Sequence, residues 1–204
     1  MTATRTVLHV GCGVANPAKL HPAFRGEDWK EVRLDIDPGV RPDIVASMTD
    51  MSAVPDASMD GLFSSHNIEH LYPHEVPVAL AEFRRVLKPT GFALITLPDL
   101  QAIAQLVAED KLEEPAYVSP AGPISPLDMM YGYRPALARG NLFMAHRTGF
   151  TARTLGQHLV QAGFGEVRLA KGGNFDLWAQ AFVTPPKAAA AEQGAEGPAA
   201  AVGG

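Results

Sequence analysis

Thr6-Val7-Leu8-His9-Val10-Gly11-Cys12-Gly13-Val14-Ala15-Asn16 is an apolar, β-branched run that breaks abruptly into glycine. Residues 6–10 read as a buried strand, and Gly11 to Gly13 as a turn that adopts positive φ and lets a ligand approach bare backbone N–H groups. On its own the turn is weak evidence, because an ordinary strand-to-helix connection uses the same residues. The dinucleotide fingerprint G-x-G-x-x-G requires glycine where Asn16 stands, and no Gly-Lys-Ser/Thr follows. An NAD-dependent oxidoreductase therefore rests only on shared β-α-β logic, and a P-loop is ruled out.

The next informative stretch is Val32-Arg33-Leu34-Asp35-Ile36-Asp37-Pro38, a second strand that ends in carboxylates about 22 residues past the glycines. At that spacing a carboxylate can accept both hydroxyl protons of a ribose diol, a role that falls to Asp35. Asp37, before Pro38-Gly39, suits turn chemistry, and a solvated turn is the simpler account of the whole segment. Farther out, short β-rich runs alternate with helical patterns, the order of an α/β fold with a mostly parallel sheet. Strands are expected at 6–10, 32–37, 43–47, 61–65, 92–97, 166–170 and 177–183. Leu80, Phe83 and Leu87 share one stripe of a helix over 75–87 that Lys88-Pro89-Thr90-Gly91 should end. Leu155, Leu159 and Ala162 do the same over 151–162, which stops at Gly163.

The chain of 204 residues, 47% hydrophobic and 19% charged, can close one sizeable core, here residues 1–184. Residues 112–148, rich in Pro, Gly, Tyr and Met with little periodicity, read as a lid-like insertion. Residues 185–204, dominated by Ala, Gly and Pro, read as a disordered tail. A net charge of −5 without a basic stripe gives no electrostatic drive toward nucleic acid. No stretch reaches the roughly 20 apolar residues of a membrane helix, the N-terminal apolar run is too short for a signal peptide, and the single cysteine, Cys12, fits a reducing compartment. A cytoplasmic protein with no nucleic-acid or membrane partner is expected.

The glycine loop and Asp35 are followed by Met59-Asp60-Gly61-Leu62-Phe63-Ser64-Ser65-His66-Asn67-Ile68-Glu69-His70-Leu71 and by Ala81-Glu82-Phe83-Arg84-Arg85-Val86-Leu87-Lys88-Pro89-Thr90-Gly91. In this order, over residues 6 to 183, they resemble class I S-adenosylmethionine-dependent methyltransferases, in a compact UbiE-like, methyltransferase type 11-like subgroup. The resemblance implies a Rossmann-like, seven-stranded, mostly parallel sheet with helices on both faces and an antiparallel last strand. S-adenosylmethionine would lie across the carboxyl ends of the first strands. It also implies that Gly11, Cys12 and Gly13 lie under the methionine and ribose parts, that Asp35 holds the ribose and that Ile36 packs on the adenine. Met48, Thr49 and Asp50 would face the adenine, with Asp50 near its amine, and His66 and Asn67 would lie beside the methionine moiety.

Ala15 replaces the third glycine of many members, no helix precedes the first strand, and Pro17 and Pro22 leave only a helical stub after the loop. The lid or a partner subunit, a homodimer included, would have to replace what is missing. The implied function is methyl transfer to an O or N atom of a small-molecule acceptor. The alternative is a non-catalytic subunit of the same fold that binds or organises a partner enzyme.

His66-Asn67-Ile68-Glu69-His70 also fits the H-x-x-E-H pattern of inverted zinc peptidases. That chemistry needs both imidazoles on one continuous helix, whereas this motif directly follows a strand and Pro73 limits any helix through it. No metal is expected on this reading. His70, and Tyr131 and His146 from the lid, are the polar candidates for acid–base work at the methyl end, although plain packing is the simpler account of each.

Overall fold

The computed structural model describes residues 4–185; the tail expected to be disordered lies, from residue 186 on, outside the described residues. The main sheet is built from β1 (Arg5–Val10), β2 (Trp29–Asp35), β3 (Ile44–Val45), β4 (Met59–Ser65), β5 (Leu87–Pro98), β8 (Glu166–Lys171) and β9 (Asp176–Phe182). A separate hairpin pairs β6 (Tyr117–Ser119) with β7 (Gly122–Ile124). The helices are α1 (Val76–Val86), α2 (Leu100–Ala108), α3 (Pro126–Tyr131), α4 (Arg134–Ala138) and α5 (Ala152–Gln161).

The seven-stranded sheet has the order β3-β2-β1-β4-β5-β9-β8. β1, β2, β3, β4 and β5 run parallel, and β9 lies antiparallel between β5 and β8. This is the Rossmann-like architecture expected from the sequence.

Strand alternation divides the core into two layers. Leu8, Val10, Leu62, Ile95, Leu97 and Leu177 face one side, where Leu80 and Phe83 of α1 and Leu155 and Leu159 of α5 cover them. Val7 and Phe63 face the other, against Leu20, Phe24 and Trp29. Two 3-10 turns, Pro17–Lys19 and Pro22–Phe24, form the stub after the glycine loop and supply that cover. Pro in the first turn of each suits a start but not a long helix.

The polar face of α1 works structurally. Glu82 accepts the Met51 N–H at 2.7 Å, and Arg85 donates to the carbonyls of Met51 and Val54 at 2.9 Å, so the helix clamps the loop after β3. Asp56 and Glu82 beside the Arg85 guanidinium hold its pKa above the ordinary arginine value.

Several boundaries differ from the sequence reading. β2 starts at Trp29 and ends at Asp35, so Ile36 and Asp37 leave the sheet, and Asp37 caps the 3-10 turn Pro38–Val40 through Gly39 N–H at 2.7 Å. β3 shrinks to Ile44–Val45 because Ser47 and Asp50 close a turn immediately after it. Lys88-Pro89-Thr90-Gly91 does not leave the sheet after α1. It lies inside β5, where Met59 pairs with Leu87 and Gly61 with Phe92, so the extra residues form an irregularity in the register.

Residues 112–148 hold the hairpin, α3, α4 and a 3-10 turn at Leu142–Met144, packed on α2 through Ile103, Ile124 and Met129. α3 starts with a capping box between Ser125 and Asp128, and Asp128 also receives Arg134 Nε at 2.9 Å. Burial raises the Asp128 pKa, but the hydrogen bonds from Arg134 and Ser125 outweigh it and hold the carboxyl down to about 2. A depressed carboxylate stabilises above its unfolded value near 4 and loses that contribution as pH falls toward 2. Acid titration of the folded chain should therefore loosen residues 125–134 in that window, seen as accelerated proteolysis there, and Asp128→Asn should abolish the pH dependence of that step.

Candidate active site at the carboxyl edge of the sheet

The glycine turn and the second-strand carboxylate meet. Gly11 and Gly13 take φ of +64° and +60°, which leaves the Gly13 N–H pointing at Asp35, whose Oδ2 accepts it at 2.7 Å. Asp35 Oδ1 accepts the Asp37 N–H at 3.0 Å. A carboxylate oxygen can accept two hydrogen bonds, so each keeps a lone pair for a further donor. Two donors one diol apart fit that pair of acceptors.

Arg33 braces the turn by donating to Gly13 O at 2.5 Å and Arg41 O at 2.9 Å. A Cβ built on Gly13 would lie 2.6 Å from Lys19 Nζ, which places an ammonium directly over the loop. Nothing in the sequence reading marked Lys19 or Arg33; the position of Lys19 follows from the proline-initiated stub that turns the chain back.

Around this turn the expected cofactor residues are distributed as follows. Cys12 is buried, donates its N–H to Leu34 O at 3.2 Å, and burial raises its thiol pKa. Ile36 is 50% exposed, an aliphatic side chain left open beside Asp35. Met48 packs against the core. Thr49 Oγ1 pairs with Ser47 Oγ at 2.7 Å, and Asp50 is exposed and accepts the Ser52 N–H at 3.2 Å. Thr49 and Asp50 line a groove of about 790 Å³ against Pro77, Glu82 and Arg85. Ala46 N–H donates to Asp35 O at 3.0 Å, which anchors the segment next to the acid.

Asn67 ties the glycine turn to the exit of β4. Its Nδ2 lies 2.9 Å from Val10 O, 3.0 Å from Ser65 O and 3.3 Å from Ser64 Oγ, and any Cβ on Gly11 would collide with its Oδ1. Its amide protons are spent on the scaffold. His66, at φ +54°, turns the chain and keeps a side chain 47% exposed, with Nδ1 3.3 Å from Glu69 Oε1. Burial disfavours the charged imidazole, but the Glu69 carboxylate, with Asp176 behind it, outweighs this and raises the His66 pKa.

The H-x-x-E-H residues make a single 3-10 turn, Ile68–His70, and not the continuous helix that the peptidase geometry needs. His70 lies between two carbonyls, with Nδ1 3.1 Å from Ala145 O and Nε2 3.1 Å from His66 O. His146 comes down from residues 112–148 against it, ring centroids 4.9 Å apart, and its Nδ1 sits 2.8 Å from Met129 O. Burial, the main cause, lowers the His146 pKa.

Tyr131 is not brought into the site: the residue is 58% exposed, and its carbonyl accepts the His146 N–H at 3.2 Å. Tyr117 is half-buried in the cluster over α2, beside Tyr133, and burial first and then the charges of Asp176 and Asp128 raise its phenol pKa. Asp99, at the end of β5, is buried, caps α2 through Gln101 N–H at 3.1 Å, and has Lys171 Nζ 3.3 Å from Oδ2. Sequence reasoning missed Asp99 and Asp176. A polar residue directly after a parallel strand at the carboxyl edge was the available signal for Asp99.

Residues 8–95 match the family model described as "Methyltransferase domain". No sequence relative of the chain is found among curated proteins. Among solved structures the fold is similar to a SAM-dependent methyltransferase from Aquifex aeolicus, at 18% identity and TM-score 0.57 over 89% of this chain and 84% of that one. A protein from Pyrococcus horikoshii aligns at 20% identity and TM-score 0.61 over 89% and 83%. A Haloferax volcanii complex between the Trm112 methyltransferase activator and a putative methyltransferase aligns at 14% identity and TM-score 0.57 over 89% and 84%. The family match spans residues 8–95, and the likeness to these solved structures, at 14–20% identity, is one of fold.

Proposed function

We propose that the chain transfers a methyl group from S-adenosylmethionine to an oxygen or nitrogen atom of a small-molecule acceptor. The observation that carries this reading is the convergence of Gly13 N–H and the Asp35 carboxylate at the carboxyl edge of the sheet. The residues present fit the cofactor. The spare lone pairs on Asp35 match a ribose diol, exposed Ile36 offers an apolar surface for a flat base, and Lys19 over the glycine loop offers a cation to an amino-acid carboxylate. S-adenosylmethionine, when bound, supplies an electrophilic methyl on a sulfonium.

The chain's task is then to orient the acceptor and exclude water, because in-line displacement gains most from positioning. An oxygen or nitrogen acceptor also gives up a proton. Of the three clustered imidazoles, His66 is the one whose ring opens halfway to solvent while its Nδ1 is held by Glu69. It is the group best placed to receive that proton, in place of His70, Tyr131 and His146.

Calorimetric titration with S-adenosylmethionine and S-adenosylhomocysteine tests the reading. Saturable one-to-one binding of both is expected, and silence at millimolar ligand would end it. A second reading, a subunit that works only with a partner, draws support from the fold shared with the putative methyltransferase held by an activator in the Haloferax volcanii complex. Turnover by the isolated chain in a methyl-release screen would reject that alternative.

A further inference from the structure

Glu69 is 1% exposed, and neither of its carboxylate oxygens receives a hydrogen bond of acceptable geometry among the described residues. His66 Nδ1, at 3.3 Å, faces only Oε1, so Oε2 is left open to a cation. Three imidazoles surround it, and one ligating atom from each of Glu69, His70 and His146 lies within 4.8 Å of the others.

The tautomers argue in the same direction. His146 Nδ1 donates to Met129 O, which fixes the proton there and leaves the Nε2 lone pair free, the arrangement in which a metal-binding histidine is held from behind by a carbonyl. Both nitrogens of His70 face carbonyl oxygens. A neutral ring donates through only one of them and turns a lone pair on the other oxygen. Rotation of that nitrogen away from the carbonyl and onto a metal ion removes the mismatch. His66 Nδ1, 3.3 Å from Glu69 Oε1, sits behind the carboxylate and leaves Oε2 for the ion.

We infer that Glu69, His70 and His146 form a site for one divalent first-row transition-metal ion, with Zn²⁺ the best match to two imidazoles and a carboxylate and with a fourth position open. Metal–ligand distances of about 2.0–2.2 Å require the three side chains to close in by rotation, which their mixed loop and 3-10 backbone permits. The H-x-x-E-H pattern alone could not reveal this site, because the third ligand arrives from residue 146, more than 70 residues downstream, and the pair at 69 and 70 comes from a tight turn rather than a helix.

The ion would also link two parts of the chain. Arg147 N–H and Thr148 N–H both donate to Glu69 O, at 2.8 and 3.2 Å, so the backbone already docks where the ligands converge. Any part the ion plays in holding an acceptor oxygen rests on the methyltransferase reading; its binding does not.

The test is titration of metal-stripped full-length protein with ZnCl₂ by calorimetry and with CoCl₂ by visible absorption, alongside metal analysis of the purified chain. One ion per chain and a Co²⁺ d–d spectrum of low-coordinate intensity are expected. His146→Ala and Glu69→Gln should each weaken Zn²⁺ by about 10–100-fold or more, while His158→Gln, on α5, should leave affinity unchanged. Circular dichroism shows which variants fold, and the more conservative Glu69→Gln keeps the test open if His146→Ala does not. Absence of stoichiometric Zn²⁺ and Co²⁺ binding to the folded wild type would overturn the proposal, as would equal affinity in both folded ligand variants. Cofactor calorimetry on the same samples separates this failure from failure of the methyltransferase reading.

Discussion

Replacing Asp35 by alanine is expected to weaken S-adenosylhomocysteine binding by about 1.5–3 kcal/mol, roughly tenfold to more than a hundredfold in Kd. Two losses combine. The carboxylate's free lone pairs, which would accept from the ribose hydroxyls, disappear. The Gly13 and Asp37 N–H groups, held at 2.7 and 3.0 Å, also lose the acceptor that aims the turn. Asparagine does not rescue the site, because its amide group turns a donor toward one of two backbone donors. Calorimetric titration of both variants, with thermal melts to monitor folding, checks the expectation. An unchanged dissociation constant in a folded Asp35→Ala protein would remove this residue from the cofactor site.

The largest stability effect is expected at Gly132. Its backbone sits at φ +101°, ψ 156°, a region open essentially to glycine alone. A Cβ there would collide with the Met144 carbonyl oxygen and crowd Ala145 Cα. Those are main-chain atoms, so no rotamer change relieves the contact, and strain and collision together should cost about 3 kcal/mol or more. The loss should concentrate in residues 125–148, since Met144 and Ala145 precede the segment that docks on Glu69. Urea denaturation should show a lower midpoint for Gly132→Ala, and limited proteolysis should cut within 125–148 before the sheet unfolds. A variant with wild-type midpoint and protease resistance would contradict this account.

The succession of strands along the chain was legible because most of them carry a short apolar or alternating run and the glycine turn and Asp35 mark two consecutive strand ends, while the antiparallel last strand was expected only from the family resemblance. Boundaries were less legible where one signal had two meanings. Lys-Pro-Thr-Gly at 88–91 breaks regular pairing, but it does so inside β5, since the neighbouring Met59–Gly61 register tolerates extra residues. α2 was not anticipated: Leu100-Gln101-Ala102-Ile103-Ala104-Gln105-Leu106-Val107-Ala108 is only nine residues long and carries no charged residue to mark a solvent face, and only Ile103 is fully buried. Residues 112–148 lack periodicity because their elements are one turn or one hairpin long, too short for a 3.6- or 2-residue pattern to repeat. At the site, the meeting of the glycine turn with Asp35 and the lid origin of His146 were expected, and other partners across the fold were not. Lys19 over Gly13 and Tyr117 near Asp176 depend on chain reversals that local patterns do not encode.

The place of β9 has a consequence for synthesis. β5 is complete at residue 98, but the strand that zips onto its outer side begins at residue 176. A ribosome adding about 5–20 residues per second therefore leaves the β5 rim of a nascent chain unzipped for several seconds. During that interval Phe92, Leu94 and Ile95 border an open template for any extended peptide nearby. A chain released before residue 176 would keep that open rim permanently, the sticky condition that drives intermolecular clumping.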